Sequence, residues 1–228
     1  VAAGELAGSL AHELHQPMSA INAYAESAML LSSSEHNQLD GKNKDTLRKT
    51  LDQIIKESIR ASEIVRGLRS FFIGGASNIK SVEVDQLVAD TVSQLESYAQ
   101  KLNVQLKTEK LSDSVLVMVD ITQVKTALGN LIKNAIESAN SDGVVEVTLT
   151  LDKQDRIEIS IFDSGKTLDA YESEIIFKPF YSEKKDGLGL GLSISKSLIE
   201  NNDGSITYRS KPKKCFVVTL PTGSKIDV

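Results

Sequence analysis

Apolar residues recur every three or four positions through the first 72 residues, which is the period of helices with one buried face. A polar stretch at residues 32–44 separates two such stripes and is expected to end the first helix. The stripes comprise Leu6, Leu10, Leu14, Ile21, Ala25, Ala28 and Leu31, then Leu47, Leu51, Ile54, Ile55, Ala61, Val65, Leu68 and Phe72. This pattern predicts a helical hairpin. Because two helices enclose little interior, we expect two copies to form a four-helix bundle.

Beyond a short glycine-containing joint at residues 73–78, helical and strand periods alternate. Strands are predicted at 82–84, 104–107 and 115–119, with hairpins formed by 144–151 and 156–162 and by 205–209 and 215–220. Helices are predicted at 85–101 (with Asp85 as N-cap), 121–140 and 188–201. These elements predict an α/β sandwich, so the chain as a whole is α+β. We place the two domains at residues 1–73 and 74–228.

The composition of the chain argues against two classes of function, nucleic-acid binding and membrane contact. Among 228 residues, 31 acidic against 26 basic side chains give a net charge of −5, which argues against nucleic-acid binding through general charge. The one cysteine, Cys215, lies in an apolar run and is expected to be a packed thiol in a reducing compartment. No run of about 18 apolar residues occurs, so we expect no membrane contact by this stretch. The chain begins inside a helical pattern, and we expect it to be a fragment of a longer protein.

His12 and Glu13 carry distinctive chemistry on the first helix. An exposed, unprotonated imidazole nitrogen can attack phosphorus, and a neighbouring carboxylate can orient the ring and accept its other N–H. Position 12 lies off the apolar stripe. Taken alone, an ordinary surface pair explains these residues at least as well. His15 does not make a zinc site with His12, because the spacing is three residues where the zinc motif needs four.

Asn130 and Asn134 lie one helical turn apart on the helix predicted at 121–140. Two carboxamides on one face can coordinate Mg²⁺ through oxygen and leave positions for water and phosphate. The neighbouring Lys133 can meet phosphate charge. Alone, the pair is also compatible with the polar face of an amphipathic helix.

The sequence Asp163-Ser164-Gly165 follows an apolar strand. A sheltered carboxylate there can accept a hydrogen bond from an exocyclic amine such as adenine N6, although a strand-ending turn uses the same residues. The following Lys166 and Thr167 suggest a P-loop, but Ser160 stands where that motif needs glycine. A P-loop is therefore excluded.

A glycine-rich segment, Gly187-Leu188-Gly189-Leu190-Gly191, opens a helical pattern. Such glycines let phosphate approach the backbone, and the helix N-terminus favours anions. The preceding stretch at residues 177–186 is polar and contains proline, so we interpret it as a flexible lid with Phe177 and Phe180 as hinges or plugs. Each motif alone has an ordinary structural explanation. The occurrence of four such motifs in this order and at this spacing has no such explanation.

These motifs resemble the catalytic core of a sensor histidine kinase of a two-component system, over nearly the whole chain. Residues 12–17 are similar to the family's H box, 130–134 to its N box and 163–165 to its first G box. Residues 177–180 match the F box and 187–191 the second G box. The His-Glu-Leu-x-Gln-Pro pattern looks closest to the nitrogen-fixation, nitrogen-regulation and dicarboxylate sensors.

The resemblance implies a dimerisation and phosphotransfer domain followed by a Bergerat-type ATP-binding sandwich. It implies His12 as phosphoacceptor with Glu13 as its base or orienter, and Asn134 as an Mg²⁺ ligand with Asn130 nearby. Nucleotide contacts then fall on Lys133, Asp163, Gly165, Lys184, Gly187, Leu188, Gly189, Leu190 and Gly191. The implied partners are a second copy of the chain and a response-regulator receiver domain. The implied location is the cytoplasmic part of a longer bacterial sensor, and sensors of this kind include inner-membrane proteins.

Two positions refine this interpretation. Gln16, one turn after His12, stands where relatives use an amide or hydroxyl to position water, which implies a phosphatase activity toward the regulator. Thr167 replaces the usual second glycine of the first G box, which restricts the backbone there. Two alternatives stay open: an ATPase of the chaperone or mismatch-repair type, against which Asn130 argues because such enzymes carry glutamate there, and a degenerate kinase that only binds a partner.

Overall fold

The computed structural model describes residues 2–32, 41–72, 78–152, 155–184 and 189–223, with the backbone alone at residues 2–13, 41–42, 60, 63–64 and 66–72. The chain divides into two compact units, Val1–Ile73 and Gly74–Val228. Of the helices described, none is both long and apolar enough to cross a bilayer.

The first unit consists of two helices packed along each other, α1 (Ala2–Ser32) and α2 (Gly41–Phe72). The predicted helical hairpin is confirmed. The polar connection predicted at residues 32–44 is too long, because α2 begins at Gly41. Its first turn is polar, and the side chains of Asn43 and Lys44 are exposed, which a solvent-facing helical turn tolerates. Residues 33–40 lie outside the described residues.

The second unit contains helices and strands in mixed order. The helices are α3 (Val84–Ser93), α4 (Glu96–Lys101), α5 (Ile121–Ser138), α6 (Ala170–Ile175) and α7 (Gly191–Glu200). The strands are β1 (Ile79–Glu83), β2 (Gln105–Thr108), β3 (Leu116–Asp120), β4 (Val144–Leu151), β5 (Arg156–Asp163), β6 (Ser205–Arg209) and β7 (Cys215–Pro221).

The main sheet has the strand order β2-β4-β5-β7-β6, in which β2 runs parallel to β4 and the other neighbours are antiparallel. Strands β1 and β3 form a separate antiparallel pair. Helices α3, α5 and α7 pack together, and α5 lies against the sheet at β4 and β5. The predicted α/β sandwich and both predicted hairpins are therefore confirmed.

The core lies between this helical layer and the inner face of the sheet. Successive residues of a strand point to opposite faces, so alternate positions of β5 share the inner face. The fully buried residues of the core include Leu128, Leu131, Ile132, Ile157, Ile159, Ile161, Ile199 and Leu220. Burial of such side chains contributes roughly 1.5–3 kcal/mol each and fixes α5 against β5.

The single helix predicted at residues 85–101 is wrong, because it is broken between Ser93 and Glu96 into α3 and α4. The Ser93 hydroxyl donates to the Asp90 carbonyl at 2.9 Å, and the Leu95 N–H bonds three residues back to Val92 at 2.9 Å. Both contacts compete with the α-helical pattern. Asp85 is not the N-cap either, since its carboxylate accepts the Leu111 N–H at 3.1 Å.

Three predicted boundaries also shift. Strand β1 lies earlier than predicted, because Val84 already belongs to α3. Helix α5 ends at Ser138, before Asn140, whose φ of 61° does not continue a right-handed helix. Helix α7 begins at Gly191 instead of residue 188, because Gly189 has a φ of 65°. The short helix α6 was not predicted.

Candidate functional site

Asp163 is the last residue of β5 and shares the inner face of the sheet with Ile157, Ile159 and Ile161. This alternation turns its carboxylate toward the helical layer, where the residue is only 7% exposed. The Gly165 N–H donates to Asp163 Oδ1 at 2.9 Å. A carboxylate that is nearly removed from water at a strand end can serve as an acceptor for a ligand's N–H.

A lysine that the sequence did not single out contacts this carboxylate. Lys214 Nζ lies 2.6 Å from Asp163 Oδ1, and both side chains are buried. Lys214 precedes β7, whose pairing with β5 matches Cys215 with Phe162. One step further along the same antiparallel register, Lys214 lies opposite Asp163.

The turn after Asp163 packs directly against the end of α5. A Cβ added to Gly165 would lie 2.1 Å from the Ser138 carbonyl oxygen and 2.3 Å from its hydroxyl, so only glycine fits. The Ser164 hydroxyl donates to the Ala139 carbonyl at 3.2 Å and accepts the Val144 N–H at 3.1 Å. The turn is thereby fixed to the helix that carries the asparagine pair.

Helix α5 begins after Asp120, whose carboxylate caps it by accepting the N–H groups of Thr122 and Gln123 at 3.0 and 3.1 Å. Asn130 and Asn134 are half-buried on one face, and Lys133 is exposed. The Asn130 amide donates to the Ser195 hydroxyl on α7 at 3.4 Å. The asparagine pair therefore lies along the side of α5 that meets α7.

Lys184 brings the segment before the glycine-rich stretch to the same face of α5. Its Nζ donates to Asn134 Oδ1 at 3.2 Å and also forms an ion pair with Glu137. The other oxygen of Glu137 accepts the Tyr98 hydroxyl at 2.8 Å. Burial alone would raise the pKa of Glu137, but hydrogen bonds from Lys184 and Tyr98, with the charges of Lys184 and Lys133, outweigh it and leave that pKa below its ordinary value.

The oxygens around Lys184 suit a hard cation. An ammonium group already lies within hydrogen-bonding distance of Asn134 Oδ1, beside the Glu137 carboxylate, and Mg²⁺ prefers such oxygen ligands. Among the described residues no group of three or more His, Cys, Asp or Glu side chains could hold a metal. The donor set therefore fits a cation held by an amide oxygen together with ligand oxygens.

The described part of the glycine-rich segment combines a strained turn with an open helix end. Gly189 has positive φ, and a Cβ there would lie 2.5 Å from backbone atoms of Phe180 and Tyr181. Helix α7 begins at Gly191, where an added Cβ would meet no described residue within 4 Å, and no side chain among the described residues caps the helix. Leu190 is buried. The first N–H groups of α7 can donate hydrogen bonds to an anion. Gly187 and Leu188 lie outside the described residues.

The two phenylalanines of the predicted lid differ in their surroundings. Phe177 packs edge-on against Phe216 of the sheet, with 6.2 Å between ring centroids, and Lys196 Nζ lies 5.6 Å from the Phe177 ring centroid. Phe180 has a φ of 67°, and its N–H donates to the Gly189 carbonyl at 3.0 Å. Phe177 thus anchors the segment, and Phe180 joins it to the glycines. Residues 185–186 of the lid lie outside the described residues.

His12, Glu13 and Gln16 lie on α1, which runs from Ala2 to Ser32 with Pro17 inside it. The side chains of His12 and Glu13 lie outside the described residues. Gln16 is exposed, one turn after His12 and on the same face.

No sequence motif indicated a role in the site for Lys214, Ser138, Glu137 or Tyr98. Glu137 could have been found, because it follows Asn134 by three residues and so shares its helix face. Lys214 and Tyr98 reach the site through long-range packing, which their own sequence neighbourhoods do not indicate.

Comparison with known families gives two matches along the chain. Residues 2–73 match the His Kinase A (phospho-acceptor) domain, and residues 119–224 match the histidine kinase-, DNA gyrase B- and HSP90-like ATPase family. The sensor protein FixL of Bradyrhizobium diazoefficiens is 32% identical over 98% of this chain and 44% of its own length. The sensor histidine kinase TmoS of Ectopseudomonas mendocina is 31% identical over 96% of this chain and 23% of its own length. The chain thus spans less than half of either relative.

A solved structure shares the fold across both units. Histidine kinase ThkA, crystallised in complex with the response regulator TrrA, superposes with a TM-score of 0.76 at 25% identity, over 96% of this chain and 62% of ThkA. With a phosphoacceptor domain followed by an ATPase-like domain, this chain belongs to the sensor histidine kinases of two-component systems.

Proposed function

We propose that this chain is the catalytic core of an ATP-dependent protein-histidine kinase. It phosphorylates itself on His12 and passes the phosphoryl group to an aspartate of a response-regulator receiver domain. Residues 1–73 act as the dimerisation and phosphotransfer domain, and residues 74–228 bind ATP.

One observation carries the nucleotide half of this proposal: residues far apart in sequence converge on α5. Lys184 lies 3.2 Å from Asn134 Oδ1 although 50 residues separate them, and the Asp163 turn packs on Ser138. A nucleoside triphosphate needs a hydrogen-bond acceptor for its base, an oxygen ligand for its metal and a cation for its phosphates. The residues beside α5 supply an acceptor, an amide oxygen and a lysine.

In this proposal Asp163 accepts a hydrogen bond from the adenine amine, next to Gly165. Lys184 and Lys133 meet the phosphates together with the backbone of residues 187–191. The positive end of α7 favours the phosphate charge. Binding at both ends orients the γ-phosphate, and this positioning supplies much of the catalysis expected of a phosphoryl transfer.

Asn134 is the residue proposed to hold Mg²⁺, with Asn130 beside it. When bound, the ion neutralises phosphate charge as the bond to the leaving oxygen breaks. Since Lys184 donates to the same Asn134 oxygen, a cation bound there would compete with the ammonium group for that oxygen.

In the transfer step an imidazole nitrogen of His12 forms a bond to the γ-phosphorus, and the bond from that phosphorus to the bridging oxygen of ADP breaks. The electron pair of the broken bond leaves with ADP. Glu13 accepts the N–H of the other ring nitrogen and so orients the ring and stabilises the charge that develops on it.

A homodimer is part of the proposal because the two-helix unit leaves large apolar side chains exposed. These are Met18, Tyr24, Met29 and Leu30 on α1, and Leu51, Ile55, Ile59 and Val65 on α2. Leu51, Ile55 and Ile59 follow one another at four-residue spacing and form a continuous stripe. A second hairpin would cover this stripe in a four-helix bundle.

A phosphatase activity toward the regulator is supported by the exposure of Gln16 on the His12 face of α1. An amide there can position the water that attacks the phosphoaspartate. We expect Gln16→Ala to slow dephosphorylation of a purified phosphorylated regulator about tenfold or more while autophosphorylation persists. An unchanged dephosphorylation rate would remove Gln16 from this role.

The proposed function is tested by incubating the chain with Mg²⁺ and ATP labelled at its γ-phosphate. A kinase gives label on the protein that acid releases and alkali does not. An ATPase of the chaperone type gives labelled free phosphate without labelled protein, and a degenerate kinase gives neither. Either of the last two outcomes contradicts the proposal.

A further inference from the structure

We infer that Lys214 is a positioning residue for base recognition, which presents one oxygen of Asp163 to the ligand and selects purine nucleotides that carry a 6-amino group. This inference rests on the proposed function in one respect, namely that Asp163 binds the base.

Strand register places the lysine at the carboxylate. Strands β5 and β7 are antiparallel, and their pairing runs from Arg156 opposite Pro221 to Phe162 opposite Cys215. Continued by one residue, it sets Lys214 opposite Asp163 on the inner face. The two side chains are 8% and 4% exposed, so the ion pair lies inside the protein.

The ammonium of Lys214 forms one ion pair and two hydrogen bonds. Its Nζ lies 2.6 Å from Asp163 Oδ1, 2.6 Å from the Lys166 carbonyl oxygen and 3.4 Å from the Ser138 hydroxyl. These acceptors belong to the end of β5, the turn that follows it and the end of α5. Lys214 therefore ties together the three segments that enclose the proposed base site.

Both contacts of the Asp163 carboxylate fall on the same oxygen. Oδ1 accepts the Gly165 N–H at 2.9 Å and is also the oxygen that forms the ion pair with Lys214. Within the described residues Oδ2 has no hydrogen-bond or ion-pair partner, so it is the oxygen left for a ligand. A carboxylate oxygen accepts the N–H of a 6-amino group and repels the lone pairs of a 6-oxo group.

Removing the lysine would leave a nearly buried anion held by a single N–H. Such a group reorients or draws in water, because an unpaired buried charge is strongly unfavourable. The oxygen presented to the base is then no longer fixed, and the preference for the 6-amino group falls.

The neighbouring Lys213 provides a matched control. It projects to the opposite face of the sheet, where its Nζ pairs with Glu146 and lies 4.6 Å from the Phe162 ring centroid. Lys213→Met removes the same charge and a strand-edge ion pair without touching Asp163.

The test compares Mg²⁺-dependent binding of ATP and inosine triphosphate by calorimetry in the wild type, Lys214→Met and Lys213→Met. The two nucleotides differ at purine position 6, which carries an amino group in ATP and an oxo group in inosine triphosphate, and at N1, which accepts in the first and carries a hydrogen in the second. We expect the wild type to prefer ATP about tenfold or more, Lys213→Met to keep that ratio, and Lys214→Met to lower it at least about fivefold. If Lys214→Met binds both nucleotides more weakly by the same factor, the role is structural only and the inference is wrong.

A double-variant cycle separates this inference from the proposed function. If Lys214 acts through Asp163, Lys214→Met should hardly change the nucleotide ratio in an Asp163→Asn background. A wild type that binds neither nucleotide contradicts the proposed function itself. A wild type that prefers ATP, with the preference lost in Asp163→Asn but kept in Lys214→Met, contradicts the inference alone.

Folding is checked by thermal unfolding of every variant. Lys214→Arg and Lys214→Gln are compared in the same way, so that a misfolded methionine variant does not decide the outcome. Arginine keeps the cation and is expected to retain more of the ATP preference than glutamine. Equal ratios in the two folded variants would overturn the inference.

Discussion

Glu137 lies on α5 and contacts two other segments of the chain. It binds Lys184, which precedes the glycine-rich stretch, and Tyr98, which lies on the short helix α4. One of its oxygens pairs with Lys184 and the other accepts the Tyr98 hydroxyl at 2.8 Å. Burial, followed by the hydrogen bond to Glu137 and its negative charge, raises the pKa of Tyr98 to about 12. Each effect disfavours the phenolate, because burial penalises charge and the neighbouring carboxylate repels it.

The first prediction concerns the alkaline titration of this tyrosine. Its folded-state pKa is raised above the ordinary value of 10.0, so its stabilising contribution is complete below pH 10 and is lost as the pH rises toward 12. Ultraviolet absorbance of the phenolate should therefore show a component near pH 12 that is missing in Tyr98→Phe.

The control is Tyr171→Phe, which removes a side chain that is 70% exposed and should leave the component near pH 12 in place. A Tyr98→Phe titration that retains this component would assign it to another tyrosine and contradict the raised pKa of Tyr98.

At the scale of single residues, the sequence indicated Asp163, Asn134 and Lys184 as site residues but not Lys214. Asp163 was predictable as a polar residue at the end of an apolar strand, and Asn134 by its spacing from Asn130. Lys214 was not predictable, because its position depends on the register of β5 against β7. Lys184 was indicated by the family resemblance, but its contact with Asn134 was not, because that contact depends on how a loop folds back over α5. Both are tertiary properties that no local pattern encodes.

Helix α5 and the turn that packs on it are the elements that carry the candidate nucleotide site. Alanine substitutions at two glycines of these elements are expected to change the free energy of unfolding in opposite directions. Gly165 has no room for a Cβ against Ser138, whereas a Cβ at Gly129, inside α5, would meet only Thr91 Cγ2, at 4.0 Å, among the described residues.

We expect Gly165→Ala to lower the free energy of unfolding by about 1–3 kcal/mol, because the turn must move away from α5. Gly129→Ala should raise it by about 0.5–1 kcal/mol, since alanine is the better helix former and fits without strain. Chemical denaturation of the two variants beside the wild type measures both values.

Nucleotide binding distinguishes displacement of the turn from a general loss of stability. Under conditions where it is fully folded, Gly165→Ala should still bind ATP more weakly, because Asp163 moves with the turn. An alanine at position 165 that changes neither stability nor affinity would mean that the turn does not pack on Ser138 as described.

Elements with strong periodicity were predicted well, and short ones were not. The strands β4, β5, β6 and β7 agree with prediction to within one residue. Helix α6 has six residues, too few to show a period, and is set by a capping box in which Asp169 and Glu172 exchange hydrogen bonds. The break between α3 and α4 depends on a serine side chain that bonds its own helix, which an apolar pattern does not reveal.

The molecule as a whole is built from a two-helix unit that leaves apolar residues exposed and a sandwich with a closed core. Among the exposed residues, Ile55 is 58% exposed in the middle of the α2 stripe. A charge there would be buried at the proposed dimer interface without a partner.

We therefore expect Ile55→Glu to shift the chain from dimer to monomer in sedimentation experiments, with a rise of about tenfold or more in the dimer dissociation constant. Lys49→Glu places the same residue at an exposed polar position of α2 and should leave the dimer intact. A wild-type chain that sediments as a monomer at all concentrations would contradict the proposed bundle.

Fold class was predictable at this scale because the first unit keeps a helical period throughout, whereas helical and strand periods alternate in the second. The arrangement of the strands was not predictable. The parallel pairing of β2 with β4, and the pairing of β1 with β3 in a separate sheet, both depend on contacts between distant segments. Periodicity specifies which face of an element is buried, but it does not specify the neighbour.

The most direct measurement is to localise the phosphoryl group after reaction with Mg²⁺ and ATP, by mass spectrometry under neutral conditions. The wild type and His15→Gln should carry a single acid-labile phosphate, at His12 in both. His12→Gln should carry none while binding ATP as tightly as the wild type. A phosphorylated His12→Gln chain, or a phosphate found at His15, would contradict the assignment of His12 as the phosphoacceptor.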